Sequence, residues 1–228
     1  MAIDSTDEEQ LEALKRWWQD NGNSLLIGVV LVLAVMFGMR QWQASQGNTA
    51  GAASDLYQQI SDLLVANVTT TISDDDVLAA QAVYSQLKEQ YTSSIYTRYA
   101  ALAMAKFNTE KNQLDLAAAE LQWVLDNPDL GLMQKADEEL FLVARQRLAR
   151  VKLAQGDAQG ALDLLRGVEA GSFATTYAET EGDALLALGD REGAKAAYQK
   201  AMDAMIEGNP AILQLKLQDL GVSSLEAQ

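Results

Sequence analysis

Apolar residues recur at three- and four-residue spacing along almost the whole chain after residue 55. This is the period with which one face of an α-helix is buried. Only two prolines, Pro128 and Pro210, interrupt the pattern. The sequence therefore predicts an all-α protein, with helices over residues 55–65, 77–90, 95–107, 114–125, 132–153, 158–168, 174–188 and 192–206 and a short helix after Pro210. Asp74–Asp76 are expected to supply the N-cap and negative charge at the start of the helix over 77–90.

Residues 21–39 follow a different pattern, because none of these 19 residues is charged. A helix of this length spans about 29 Å, close to the roughly 30 Å hydrocarbon core of a bilayer. Tryptophans at both ends resemble an interfacial aromatic belt. We predict one transmembrane helix over 21–42, preceded by a tail (1–20) and followed by a linker or helix extension (43–54) and a helical domain (55–228).

A cleaved signal peptide is one alternative, since Ala50-Gly51-Ala52 resembles a cleavage site. Signal peptides carry a basic segment before the apolar run, whereas residues 4–20 hold six acids against Lys15 and Arg16. An uncleaved anchor therefore fits better than a signal peptide, or than a buried helix of a soluble protein.

Basic residues near the span predict its orientation. Lys15 and Arg16 precede the span, only Arg40 follows closely, and no Lys or Arg occurs over 41–87. The positive-inside rule then places the N-terminus in the cytoplasm. The domain from residue 55 is expected in the periplasm, with the anchor in a bacterial inner membrane.

An internal repeat organises the C-terminal half, because Leu153–Ala161 recurs as Leu186–Ala194 at a period of 33 residues. Each copy has a Gly suited to a left-handed helix end, an Asp suited to capping the next helix, and an Ala four residues later. A degenerate third copy lies at Asn112–Ala117. The period predicts a tetratricopeptide-like helical solenoid.

Composition narrows the function. A net charge of −15 makes the chain a poor ligand for nucleic acid. The chain contains no His and no Cys, and no phosphate-binding or nucleophile motif is found. We therefore expect a non-enzymatic protein without catalytic residues, metal or other cofactor, and keep a carboxylate-based hydrolase as an alternative.

A basic cluster stands out in this acidic domain. Helical geometry places Arg147 and Arg150 at one edge of a buried stripe, and Arg145 and Lys152 at the other edge. Ion pairs with acids on neighbouring helices are one interpretation. Arg147 and Arg150 as contacts for a partner's carboxylates are the functional alternative.

Two further features concern the N-terminal region. Pairs of small residues four apart lie in the predicted span and suit close packing of another membrane helix: Ser24 with Gly28, and Ala34 with Gly38. The preceding segment, residues 7–18, is amphipathic and offers a contact for the inner leaflet or for a cytoplasmic regulator.

Five segments carry a family resemblance: Leu11–Trp18, Asn21-Gly22, Gly38–Trp42, Arg147–Val151 and Gly182–Ala194. They resemble the YfgM family, ancillary subunits of the bacterial SecYEG translocon with a tetratricopeptide-like periplasmic domain. The resemblance implies an inner-membrane protein beside SecYEG. It also implies work with a periplasmic chaperone, such as a membrane-anchored prolyl-isomerase-like protein, on emerging chains. A scaffold for an envelope complex unrelated to secretion is the alternative.

Overall fold

The computed structural model describes residues 4–65, 72–128, 138–206 and 208–221. Within the first helix, it describes the side chains of residues 15–18, 28, 30–40 and 49–64. The chain divides into two compact units, Met1–Ala52 and Ala53–Gln228.

The described residues form α-helices and one short 3₁₀ helix, and they contain no strand. The 3₁₀ helix is Gly171–Phe173. The α-helices are α1 (Asp4–Val65), α2 (Asp74–Gln90), α3 (Ile95–Glu110), α4 (Leu114–Asp126), α5 (Glu138–Ala154), α6 (Ala158–Leu165), α7 (Ala174–Ala187), α8 (Arg191–Asp203) and α9 (Ala211–Asp219).

Several predicted helix ends differ from the structure by up to three residues, as at the end of α3, where Glu110 replaces residue 107, and at the end of α8, where Asp203 replaces residue 206. The helix predicted over 158–168 ends at Leu165, because Arg166 has an extended backbone with ψ 134°, and Gly167 follows with a φ of +72°. Asp74–Asp76 were expected to supply the N-cap of α2, but Ser73 does so, accepting from the Asp76 N–H at 3.1 Å. The three acids lie in the first turn, where the helix dipole favours negative charge. Residues 132–137 of the helix predicted over 132–153 lie outside the described residues.

The repeat marks the turns of two helical hairpins, as predicted. Gly156 and Gly189 adopt φ values of +82° and +84°. The following aspartates are the N-caps of α6 and α8: Asp157 accepts from Gly160 N–H and Asp190 accepts from Gly193 N–H, each at 2.9 Å. In the degenerate copy, Asn112 takes the left-handed position at φ +58°.

Consecutive helices pack on one another from α2 to α9, and α5 also packs on α7. This nearest-neighbour arrangement is typical of a helical repeat array. Alanines occupy many of the contacts, and their short side chains allow the helix backbones to approach closely. Fully buried examples are Ala100, Ala101, Ala117, Ala144, Ala161, Ala184, Ala194 and Ala201.

One buried cation has no counterpart in the sequence predictions. Arg98 is 1% exposed, and its guanidinium donates to carbonyl oxygens at three positions. Asn127 O accepts at 2.6 and 3.0 Å, Thr92 O at 3.0 Å and Ser94 O at 2.9 Å. Arg98 thus fixes the α2–α3 turn and the end of α4 to the same helix, α3, because a buried charge needs such compensation.

The last helix is held by a charged network. Lys216 of α9 donates to Glu179 at 2.8 Å and to Asp183 at 2.6 Å, both on α7. The Tyr198 hydroxyl of α8 also donates to Asp183, at 2.8 Å. Burial and the neighbouring carboxylate raise the pKa of Tyr198, so this phenol remains a donor.

The predicted span over 21–42 lies within α1. In the part of the chain that the structure describes, no helix is both long and apolar enough to cross a bilayer. The side chains described over 30–40 are all exposed.

We expect the cap of α6 to show a measurable pH dependence. The Lys152 ammonium, 2.8 Å away, and the Gly160 N–H both lower the pKa of the Asp157 carboxyl. A depressed folded-state pKa stabilises the fold above the unfolded pKa, and this contribution is lost as pH falls through the folded pKa. Asp157→Asn keeps the cap acceptor but removes the charge. It should therefore lower the melting midpoint at neutral pH and have less effect in strong acid.

The measurement is the melting midpoint of the full chain between about pH 7 and pH 2, by circular dichroism. Asp190→Asn is the matched control, because Asp190 makes the same cap but has no ion pair with any described residue. Equal pH dependence of the two variants would contradict the prediction.

Candidate functional site: a groove between α3 and α5

A groove of about 420 Å³ lies between α3 and α5, with Leu121 of α4 contributing to its lining. Helical periodicity explains the two walls. Residues 105, 106, 109 and 110 form one stripe of α3, and residues 147, 150, 151 and 154 form one stripe of α5. The groove lies entirely within the unit formed by Ala53–Gln228.

The α5 wall stands beside the buried stripe that the sequence predicted. Leu140, Ala144, Leu148 and Val151 are at most 5% exposed, so the orientation of α5 is confirmed. Arg147 and Arg150 lie at the edge of this stripe, are exposed, and both line the groove. The structure thus brings these two candidate residues together.

The other two cations of the basic cluster lie elsewhere. Lys152 pairs with Asp157 at the start of α6. Arg145 lies near Tyr177. Burial raises the pKa of the Tyr177 phenol, and the positive charge of Arg145 partly opposes this rise. Ion pairing with an acid beyond α5 is therefore observed for Lys152, while Arg147 and Arg150 form no ion pair with any described residue.

The opposite wall adds charged residues that the sequence analysis did not select. Lys106 and Glu110 of α3 line the groove and form an exposed pair at 3.7 Å. Three cations and one anion therefore surround the groove, in a chain whose net charge is −15. The i, i+4 spacing of Lys106 and Glu110 is visible in the sequence, but their position opposite α5 is not.

Apolar contacts complete the lining, through Ala105, Leu121, Val151 and Ala154. A largely apolar cleft of this volume with a few charged groups at its rim suits a ligand with apolar side chains. The lining carboxylate of Glu110 is exposed and already paired with Lys106. The arrangement therefore supports binding more than carboxylate-based hydrolysis.

The small residues of the predicted span lie in the N-terminal unit and do not line the groove. A Cβ added at Gly28 or Gly38 would meet nothing within 4 Å, and Ala34 is exposed. Ser24 lies outside the described side chains. Their role in packing against another membrane helix therefore stays a prediction.

Known proteins are similar to this chain over nearly its full length. A family model described as "Tetratricopeptide repeat-like domain" matches residues 15–222. A protein of Escherichia coli (strain K12), named ancillary SecYEG translocon subunit, is 32% identical over 97% of this chain and 100% of its own length. The chain belongs to the YfgM family of ancillary SecYEG translocon subunits.

Two more relatives of the YfgM family carry the same name. The protein of Haemophilus influenzae is 30% identical over 96% of this chain, and that of Neisseria gonorrhoeae is 27% identical over 96%; each is covered completely. No solved structure shows significant similarity. The predicted family and the tetratricopeptide-like fold are therefore confirmed, and the relatives' names describe translocon subunits, without an enzymatic activity.

Proposed function

We propose that this chain is a membrane-anchored interaction protein of the SecYEG translocon that passes translocated chains to periplasmic chaperones. The observation that carries the proposal is the similarity to the Escherichia coli translocon subunit, which covers 97% of this chain and includes the N-terminal unit. The protein acts by binding and not by turnover. Its repeat domain supplies contacts, and its N-terminal region keeps those contacts beside the translocon.

The anchor is supported by exposed apolar side chains on α1. Val30, Leu31, Val32, Leu33, Val35, Met36, Phe37 and Met39 are between 52% and 77% exposed. At about 100° per residue, ten consecutive positions of a helix cover its whole circumference. Exposure of apolar groups on every side of a helix is unfavourable in water and favourable in lipid. We therefore propose that this segment is part of a membrane helix over 21–42.

The proposed topology places residues 1–20 in the cytoplasm and residues 55–228 in the periplasm, with 43–54 between them. The distribution of Lys and Arg supports this orientation. Tethering would raise the local concentration of the repeat domain at the translocon exit, so weak contacts with emerging chains would suffice.

The topology predicts which introduced cysteines react from outside the cell membrane. The chain has no Cys, so Glu8→Cys and Gln159→Cys each introduce a single thiol. In intact spheroplasts, an impermeant maleimide should label position 159 and leave position 8 unlabelled until detergent is added. Labelling of position 8 in intact spheroplasts would overturn the proposed orientation.

Association with the translocon can be tested by a photocrosslinking amino acid at position 37, where Phe37 is 77% exposed. Crosslinks to SecYEG components are expected from this position in intact membranes. Ile206, which is 95% exposed in the repeat unit, is the matched apolar control and should give no such crosslink. Equal capture of SecYEG from both positions, or capture from neither, would contradict the proposal.

The chaperone step needs a separate measurement. A secreted protein arrested in the translocon should crosslink to periplasmic chaperones less often in cells lacking this chain. Restoring the full chain should restore the crosslinks, whereas residues 53–228 exported to the periplasm without the anchor should not. Unchanged crosslinking in the deletion strain would rule out the handover.

A further inference from the structure

The groove between α3 and α5 has the charge of a site for acidic ligands within an acidic protein. Arg147 and Arg150 are separated by one helical turn and are both exposed. Neither forms an ion pair with a described residue, whereas Lys106, Lys152 and Lys216 all do. Two guanidinium groups thus remain available to carboxylates entering from solvent.

The apolar part of the lining limits the kind of acidic ligand. A free inorganic anion would use the arginines but would gain nothing from the apolar part of the lining, where Ala154 is exposed and Leu121 and Val151 form the floor, 1% and 5% exposed. A volume of about 420 Å³ admits aliphatic side chains, and their transfer from water to these surfaces is favourable. The ligand should therefore carry carboxylates and aliphatic groups together.

Nucleic acid fits less well, because its phosphates could pair with the arginines but would gain nothing from the apolar lining, and a net charge of −15 repels them over long range. The same charge also repels most acidic proteins, so the cationic rim provides a local contact that fixes where an acidic segment docks. Guanidinium groups suit this task, because their planar donors match carboxylate oxygens.

We propose that this groove binds a peptide segment of a partner protein in which glutamate or aspartate residues alternate with aliphatic residues. Carboxylates of the segment pair with Arg147 and Arg150, and its aliphatic side chains enter the cleft between α3 and α5. This deepens the proposed function, on which it rests only in taking the repeat domain to be a protein-binding module.

The test uses the purified full-length chain in mild non-ionic detergent and a fluorescein-labelled peptide that alternates leucine with glutamate. A matched peptide replaces each glutamate by lysine. Fluorescence anisotropy should show saturable binding of the glutamate peptide, weakened by high salt, and much weaker binding of the lysine peptide.

The double variant Arg147→Gln/Arg150→Gln should weaken binding of the glutamate peptide by about tenfold, because two exposed charge pairs are lost. Gln keeps much of the aliphatic stem, so the melting midpoint should change little. Arg166→Gln is the matched control, since Arg166 is exposed outside the groove. Equal weakening by the control would show a general charge effect and would overturn the site.

Two further variants test the site by means other than neutralising its charge. Ala154→Leu narrows the groove while keeping every cation. It should therefore also weaken binding of the glutamate peptide. Arg147→Glu/Arg150→Glu should transfer the preference to the lysine peptide. Unchanged binding in Ala154→Leu, or an unchanged preference after charge reversal, would overturn the proposal. These peptide results are independent of the SecYEG crosslinks, so either proposal can fail alone.

Discussion

Replacing Gly182 with alanine is expected to destabilise the repeat domain by about 3 kcal/mol, the upper end of the usual cost of overpacking. A Cβ at this position of α7 would lie 2.4 Å from Cε1 and 2.5 Å from Cδ1 of Tyr198 on α8. The ring has little room to retreat, because Tyr198 is 1% exposed and its hydroxyl is bonded to Asp183. The helices must therefore separate.

Gly51→Ala is the matched control for this experiment. Gly51 also lies within a helix, but a Cβ there would meet nothing within 4 Å. Gly51 belongs to the N-terminal unit, so Gly51→Ala should leave the free energy of unfolding of the repeat domain unchanged. Chemical unfolding of the full chain provides the measurement.

A double-mutant cycle assigns the cost to the ring. In a Tyr198→Ala background, Gly182→Ala should be neutral or slightly stabilising, because the methyl group then has space. A single Gly182→Ala variant as stable as wild type would mean that α7 and α8 do not approach this closely.

Gly189→Val should destabilise the domain by about 1–3 kcal/mol through backbone strain. Gly189 has a φ of +84°, and a Cβ there would meet nothing within 4 Å, so the Cβ itself makes no steric contact. A β-branched residue rarely adopts this conformation. The substitution therefore opposes the turn that connects α7 to α8.

Gly189→Asn is the informative comparison, because asparagine tolerates the left-handed region better than valine. The chain itself offers a precedent, with Asn112 at φ +58° in the degenerate third copy of the repeat. Asn should cost distinctly less than Val in thermal melts of the full chain. Equal melting midpoints for Val and wild type would mean that the turn relaxes without strain.

Local chemistry explains why the helices and their turns could be predicted. The Gly156-Asp157 and Gly189-Asp190 turns involve hydrogen bonds between residues only a few positions apart, such as Gly160 N–H to Asp157. The same locality applies to the buried stripe of α5, which depends on helical period alone. The misassigned N-cap of α2 shows the limit, because Ser73 and Asp74 are both good caps and only the geometry separates them.

By itself, the sequence determined the all-α class, the repeat, the family and the orientation of Arg147 and Arg150 beside a buried stripe. Only the tertiary structure decided which side chains face them. The groove between α3 and α5, the close approach of Gly182 to Tyr198 and the bonds from Arg98 to the Asn127 carbonyl each depend on residues that are far apart in the chain. Such contacts depend on the rotation and spacing of packed helices, which many side chains set together and which no local pattern encodes.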